Sequence, residues 1–219
     1  MNKIIVALTL ALMLGKSNLD AQSAKYPTAM QADLKLLQEA KTMQDFNSVS
    51  AAFLRIATAE KTLWQPYYYA ALAKINGAMQ DASVDKDLIG EEVDSLLWRA
   101  EEIEKNSELS SLHYYNEILK MSVNPAGRFM QAAPLLEKYL QKAIAQDSTN
   151  PRIYFMKAQT VLHTPESFGG GKKAARPLFQ KSVDLFYLKE QSQDSSNKDF
   201  MPSWGKQGAE AMLKLTEQE

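Results

Sequence analysis

Residues 136–161, LEKYLQKAIAQDSTNPRIYFMKAQTV, decide the fold of this chain. Apolar or small residues recur on both sides of a polar turn, at Leu136, Leu140 and Ala143 and then at Tyr154, Ala158 and Val161. Spacings of three and four place such residues on one face of a helix. The intervening DSTNP turn separates two helices, because Asn caps helix starts and Pro suits a first turn. The stretch therefore predicts a helical hairpin.

This pattern repeats with a period of 43 residues. One helix occurs four times, in the columns Ser50, Val93, Leu136, Phe179; Leu54, Leu97, Leu140, Val183; and Ala57, Ala100, Ala143, Phe186. A second helix occurs three times, in the columns Tyr69, Leu112, Phe155; Leu72, Tyr115, Ala158; and Ile75, Ile118, Val161. A single helix pair cannot bury its apolar face, so stacked pairs must share a core. We expect an all-α fold, an α-solenoid of about four hairpins.

The helices predicted from these patterns are residues 29–43, 45–61, 66–80, 87–104, 107–121, 128–146, 151–164, 171–189 and 203–216. The last of them is expected to cap the exposed final repeat. Pro134 and Pro177 fall inside two predicted helices, where proline normally costs about 3 kcal/mol. We therefore expect each proline to mark the true first turn of its helix, or else to kink it.

The stretch from 136 to 161 resembles the tetratricopeptide repeat (TPR) family. In that family the second helix of a unit ends in a small residue, and the turn after it contains an acidic residue, Asn and Pro. The next helix carries an aromatic residue, a small residue and a large residue. The resemblance covers about residues 28–189. TPR units repeat every 34 residues, so each unit of 43 residues here has nine additional residues. We expect these between the two helices of a unit, around residues 80–86, 122–128 and 164–171. HEAT or armadillo repeats, of about 40 to 47 residues, remain the alternative.

The N-terminal residues have the form of a secretory signal peptide. Lys3 precedes an apolar run from Ile4 to Leu14, which is followed by polar and small residues. We expect residues 1–21 to be cleaved, leaving 22–219 as the repeat domain. The chain has no Cys, which excludes a lipidated N-terminal Cys and disulfides. No second apolar run is long enough to span a membrane. A periplasmic or secreted location is predicted.

Composition excludes several functions. The 25 basic and 26 acidic residues give a net charge of −1, unlike a nucleic-acid-binding protein. With two His and no Cys, neither a metal centre nor a cofactor is indicated. The spacing of the Ser, His and Asp residues does not indicate a catalytic triad. We therefore predict a protein that is not an enzyme and has no catalytic residues.

The TPR resemblance implies which residues face a partner. In that family the first helix of each pair lines a concave groove, and the corresponding residues here are Tyr69, Asn76, Asn116, Lys120, Arg152, Phe155, Gln159 and His163. Aromatic, amide and basic groups of this kind can hold an extended peptide. The alternative is that Tyr69 and Phe155 simply pack between helices. The resulting prediction is an exported scaffold that binds a protein or peptide partner through this groove and the lengthened loops.

A glycine-rich loop is the other candidate site. It contains Phe168, Gly169, Gly170, Gly171, Lys172 and Lys173. A nucleotide-binding Walker A loop would need Gly at 166 and Ser or Thr at 173, whereas this chain has Glu166 and Lys173. Exposed backbone N–H groups and two Lys could bind an anion, although a flexible turn is the simpler interpretation. The second predicted function is a periplasmic binding subunit for small-solute transport, with its ligand between helices or at this loop.

Overall fold

The computed structural model describes residues 25–192 and 200–217, so the predicted signal peptide lies outside the described residues. Within these ranges the protein is all-α. The helices are α1 (Tyr26–Glu39), α2 (Met43–Glu60), α3 (Gln65–Gln80), α4 (Lys86–Ile103), α5 (Ser107–Met121), α6 (Pro125–Gln146), α7 (Pro151–His163), α8 (Lys172–Ser192) and α9 (Lys206–Leu215). A single 3-10 turn, Glu166–Phe168, precedes α8.

Polar side chains start many of these helices. Thr42 and Asp45 form a reciprocal capping box at α2. The side chains of Asp85, Asn106, Asn124 and Asn150 each accept a backbone N–H at the start of the next helix. These bonds satisfy donors that the first turn of a helix otherwise leaves unpaired. The sequence thus sets most helix starts locally.

Each helix from α1 to α8 packs on the next along the chain, most extensively α2 on α3, α5 on α6, α7 on α8 and α3 on α4, and least α6 on α7. The first helices of the last three pairs, α3, α5 and α7, also contact one another in order. This arrangement agrees with a solenoid of four hairpins. The final helix, α9, packs on α8.

The 43-residue columns form the core. Ala57, Ala100 and Ala143 are fully buried, and Phe186 completes the column at 5% exposure. Small residues allow the neighbouring helices to approach closely. Two apolar clusters result, one built by α1–α5 and the other by α5–α9, and Tyr115 and Trp204 pack against both. Most of the periodic positions are therefore core positions, as expected, and Leu54, Tyr115, Ile118 and Val161 are partly buried beside the core.

The expectation that Pro134 and Pro177 mark the first turns of their helices is wrong. Helix α6 begins at Pro125 and α8 at Lys172, so Pro134 and Pro177 lie inside continuous helices. Both prolines are exposed. A carbonyl that loses its helical donor to proline can be hydrated at such a position, which lowers the cost. The two helices are therefore longer at their N-termini than a first-turn proline would allow.

The connections within the last three pairs comprise residues 81–85, 122–124 and 164–171. The first and third lie where extra residues were expected, whereas residues 125–128, expected in the second, belong to α6. Because each follows the first helix of its pair, all three lie at the same end of the solenoid, which we call the loop end. The longest of them, 164–171, contains the glycine-rich sequence.

Candidate functional site

The predicted concave face, formed by α3, α5 and α7, carries a segment of the chain itself. Residues 200–205, which we call the crossing segment, precede α9 and run across α3, α5 and α7. The Tyr69 hydroxyl donates to the Phe200 carbonyl at 3.1 Å, and the Trp204 indole N–H donates to the Tyr68 hydroxyl at 2.8 Å. Burial raises the pKa of Tyr69, which keeps this phenol protonated and able to donate.

Aromatic contacts fix both ends of the crossing segment. The Phe200 ring meets that of Tyr26 edge-on, with 5.3 Å between centroids. The Trp204 ring stacks on Tyr115 at 6.2 Å. Phe200 is 5% exposed, and its φ of +50° is unusual for a residue with a side chain. The segment therefore connects α1 to the later repeats.

Arg152 holds the centre of this segment. One guanidinium nitrogen is 2.8 Å from Oε1 of Glu108, and the pair is almost fully buried. Another guanidinium nitrogen donates to the Pro202 carbonyl. The guanidinium also lies 5.4 Å from the Trp204 ring centroid, within cation–π range. Arg152 thus binds a backbone carbonyl of the same chain, whereas the sequence predicts that the groove residues bind a partner.

The other predicted groove residues have varied environments. Asn116 is buried, and its amide donates to the Gly90 carbonyl and to Asp94, each at 2.9 Å. Lys120 pairs with Asp94 at 2.5 Å. Phe155 packs against Gly208, where an added Cβ would lie 2.9 Å from the ring. Asn76 and Gln159 are partly exposed, and His163 is exposed. A role for these eight residues in binding a partner stays a prediction.

A buried charged cluster lies on the other side of α5. His113 is 1% exposed, and its ring nitrogens lie 3.7 Å from Asp94 and 3.7 Å from Glu101. Burial opposes the charged form, but the two carboxylates outweigh it and raise the pKa of His113. The His113 ring, together with the Lys142 ammonium, in turn lowers the pKa of Glu101 to about 2. Tyr139 covers the imidazole, stacked at 4.7 Å.

The loop end carries exposed apolar side chains and the glycine-rich connection. Met130 on α6 is 80% exposed and Phe168 is 77% exposed. Gly169 and Gly171 have φ values of +80° and +89°, which favour glycine. The connection folds back on α7, since the Gly171 N–H donates to the Val161 carbonyl at 2.9 Å.

A basic pocket adjoins this connection. Its lining comprises Glu166, Lys172, Lys173, Arg176, Pro177, Gln180, Thr216 and Glu217. The predicted anion-binding Lys172 and Lys173 thus share a concave surface with two carboxylates. Arg176 and Glu217 pair there at 3.3 Å. Binding of an anion by the glycine-rich loop stays a prediction.

Two features were missed by sequence reasoning. Residues 203–205 of the crossing segment were predicted to begin the capping helix, which starts instead at Lys206. Phe200, Pro202 and Trp204 within six residues could have indicated an anchored non-helical stretch. The His113 cluster unites residues from three helices, and no local spacing indicates that. In the described ranges no group of three or more His, Asp or Glu could hold a metal ion. None of the helices described is long and apolar enough for a membrane span.

Comparisons with known proteins give one informative similarity. No protein-family model matches the chain, and no curated protein does. Among solved structures, the HusA haemophore from Porphyromonas gingivalis is similar, with a TM-score of 0.78 and 30% sequence identity. The matched region covers 91% of this chain and 98% of that protein.

Proposed function

This chain belongs to the family of the HusA haemophore, and from that membership we propose that it is an exported binding protein whose ligand is haem. The observation that carries the proposal is the 30% identity over nearly the whole length of a protein named for carrying haem. The all-α scaffold, whose helices are held by polar caps and by two apolar clusters that Tyr115 and Trp204 join, is consistent with a carrier.

Export and the repeat type are parts of the same proposal. The apolar run Ile4–Leu14 after Lys3 supports a cleaved signal peptide. The buried 43-residue columns and the capped turn at Asn150 support TPR-like units. Expression of the full chain in a Gram-negative host, followed by mass spectrometry of the periplasmic and medium fractions, tests export. We expect a product that begins near residue 22, whereas uncleaved chain in the cytoplasm would contradict the proposal.

Titration of the mature chain with hemin tests the ligand. We expect a saturable change in the Soret absorbance that ends at a fixed ratio of haem to protein. A matched titration with an all-α protein of similar size and charge controls for nonspecific adsorption of hemin to apolar surface. A linear, non-saturating response equal to that of the control would exclude a haem carrier.

A peptide ligand for the concave face is the second candidate. It is supported by the contacts of Tyr69, Arg152 and Tyr68 with the crossing segment, in which these side chains bond to two backbone carbonyls and to the Trp204 indole. A partner peptide would have to replace that segment. A labelled FMPSWG peptide, the sequence of residues 200–205, should bind a Phe200→Ala/Trp204→Ala variant and not the wild type.

The control peptide for this experiment has Ala in place of both aromatic residues. Circular dichroism of the double variant shows whether it is still folded. If the folded variant binds neither peptide, or both equally, the concave face does not recognise peptides of this kind.

A further inference from the structure

The crossing segment presents two aromatic rings and one hydrogen-bond acceptor to the concave face. The rings of Phe200 and Trp204 each pack against a tyrosine ring of the helices. In the sequence between them, the buried Pro202 offers its carbonyl, which accepts a hydrogen bond from Arg152. The segment therefore fills positions that an apolar molecule with an acidic group could also fill.

The guanidinium of Arg152 has one donor that the segment does not use. Its Nη1 lies 2.8 Å from Oε1 of Glu108, and its Nη2 donates to the Pro202 carbonyl. Its Nε is buried and has no hydrogen-bond partner among the residues that the structure describes. In a planar guanidinium the Nε–H and one Nη2–H are nearly parallel, so this side of the group offers two donors. The single carbonyl oxygen takes one of them.

A carboxylate fits this pair of donors better than a carbonyl does. Its two oxygens can accept from both N–H groups at once, and such a bidentate, charged pair is stronger than a bond to a neutral oxygen. A buried donor without an acceptor is unfavourable. A carboxylate in place of the Pro202 carbonyl would satisfy Nε of Arg152 as well as Nη2. The unpaired Nε–H thus points to a ligand with two acceptor oxygens.

The charges around Arg152 also suit a second carboxylate. Oε1 of Glu108 lies 2.8 Å from Arg152 and 3.5 Å from Lys189. These two cations and one carboxylate together carry one net positive charge. A ligand carboxylate beside Nε brings the sum to zero. Lys189 offsets the repulsion that Glu108 alone would exert on the ligand.

The crossing segment is held in a way that a ligand can compete with. Among the described residues, three side-chain hydrogen bonds join it to α3 and α7, and they involve Tyr69, Arg152 and Trp204. The Phe200 backbone has a φ of +50°, which residues with a side chain rarely adopt, so departure of the segment relieves strain. A ligand that forms equivalent contacts replaces the segment without leaving the face unpaired.

From these observations, and resting on the proposed haem-carrier function, we propose that the crossing segment occupies a carboxylate-binding site at Arg152 and that a carboxylate on an apolar ligand displaces it. For haem, a propionate pairs with Arg152, and the ring takes the places of Phe200 and Trp204. A long-chain carboxylic acid offers the same chemistry. Ligand binding and release of the segment are then one equilibrium, and the segment lowers the apparent affinity.

Ester probes test the role of the carboxylate. Hemin and hemin dimethyl ester share the ring and the iron, but the ester has no carboxylate. We expect the wild type to bind hemin about tenfold or more tightly than the ester. Hydrogen exchange of residues 200–205, followed by mass spectrometry, should become faster with bound hemin and stay unchanged with the ester. Residues 81–85, in a distant connection, are the internal control. Decanoate and decanol form a second pair of probes without a porphyrin.

The Arg152→Lys variant tests the two-donor arrangement. It keeps a positive charge beside Glu108 and removes the parallel N–H groups. It should bind hemin about tenfold more weakly, while its affinity for the dimethyl ester should not fall. The matched control is Arg128→Lys, which changes an arginine that pairs with Asp87 at the loop end and should leave both affinities within about twofold. Circular dichroism shows whether each variant is folded.

The Phe200→Ala/Trp204→Ala variant tests competition by the segment. It weakens the packing of the segment and leaves Arg152 in place, so it should bind hemin about threefold to tenfold more tightly than the wild type. The control Leu88→Ala/Trp98→Ala removes two exposed apolar side chains of α4 and should bind hemin as the wild type does. Equal or weaker hemin binding by the folded test variant would show that the segment does not compete.

The outcomes separate this site from the haem-carrier function. If the wild type binds hemin and its ester equally, and exchange of residues 200–205 is unchanged, the carrier function stands and the carboxylate site is wrong. If hemin does not bind saturably, but decanoate and not decanol speeds exchange of residues 200–205, the carrier function fails and the site stands. If no probe binds, both proposals fail.

Discussion

Arg152 and Glu108 form a buried ion pair, 2.8 Å between Nη1 and Oε1, that joins the first helices of the third and fourth hairpins. Lys189 on α8 is 3.5 Å from the same Glu108 oxygen. Because Arg152 also donates to the Pro202 carbonyl, one side chain links two repeats and the crossing segment. The concave face is thus stabilised by charge as well as by apolar packing.

Removal of Arg152 should be strongly destabilising. The Arg152→Ala variant leaves Glu108 as a buried carboxylate whose nearest remaining cation is Lys189, and breaking such a pair typically costs about 3–5 kcal/mol. Urea unfolding followed by circular dichroism measures the loss. The exposed Arg99→Ala variant, expected within about 0.5 kcal/mol of wild type, is the control. A loss below about 1 kcal/mol for Arg152→Ala would mean that Lys189 replaces the guanidinium.

Trp204 should contribute through both its ring and its indole N–H. Trp204→Ala removes the contacts with Tyr115 and Arg152 and the bond to Tyr68, so we expect a loss of about 3 kcal/mol. Trp204→Phe keeps an aromatic ring but leaves the buried Tyr68 hydroxyl without its donor, at about 1 kcal/mol. Thermal unfolding compares the two variants. Equal losses for Ala and Phe would show that the hydrogen bond, and not the ring, anchors the segment.

The free energy of unfolding should decrease as the pH rises, because His113 loses its proton. Its pKa is raised in the folded protein from 6.5, so its stabilising contribution is fully present below about pH 6.5 and is lost as the pH rises through the folded value. The charged and titratable groups that surround it are Asp94 and Glu101 on α4, Glu117 and Lys120 on α5, and Tyr139 and Lys142 on α6.

The measurement is the Tm of wild type and His113→Leu between pH 5.5 and 8.5. The wild type should lose stability relative to His113→Leu as the pH rises, because only the wild type can gain the two carboxylate pairings. His163→Ala, which removes an exposed histidine, should retain the wild-type profile. The assignment to His113 fails if the His113→Leu and wild-type curves are parallel.

Two adjacent glycines should differ in the cost of an added methyl group. A Cβ at Gly170 would overlap the Thr164 carbonyl, whereas a Cβ at Gly169 meets no atom within 4 Å. Gly169→Ala should therefore cost only about 1 kcal/mol of backbone strain from its φ of +80°. Gly170→Ala should cost more and should open the connection. Hydrogen exchange at the Gly171 amide reports this opening, and equal exchange in both variants would contradict the close approach.

Most of the fold could be predicted from sequence because its signals are local and repeated. Leu97, Leu140 and Val183 share a column and are all buried. Asn106 and Asn150 each cap a helix near the predicted boundary. The internal Pro134 was misjudged because its cost depends on whether water reaches the freed carbonyl, which sequence alone does not show.

The site was harder to predict because its parts come from distant positions. Tyr69 and Phe200 are 131 residues apart in sequence and share a hydrogen bond. The sequence places Arg152 among the groove residues, but it does not indicate that its partners Glu108 and Pro202 come from another repeat and from the C-terminal region. A repeat pattern shows which helix face is concave, and it gives no information about what covers that face.

The sequence by itself determined the helices, their pairing and the period, because capping and apolar spacing act within a few residues. Tertiary structure alone decided that the concave face holds the crossing segment and that His113 is enclosed by Asp94 and Glu101 while His163 is exposed. Burial and pairing of charges depend on which distant groups meet, and their free energies arise only when water is excluded between them. The two histidines are indistinguishable by residue type, and only the folded chain shows that His113 is buried and His163 exposed.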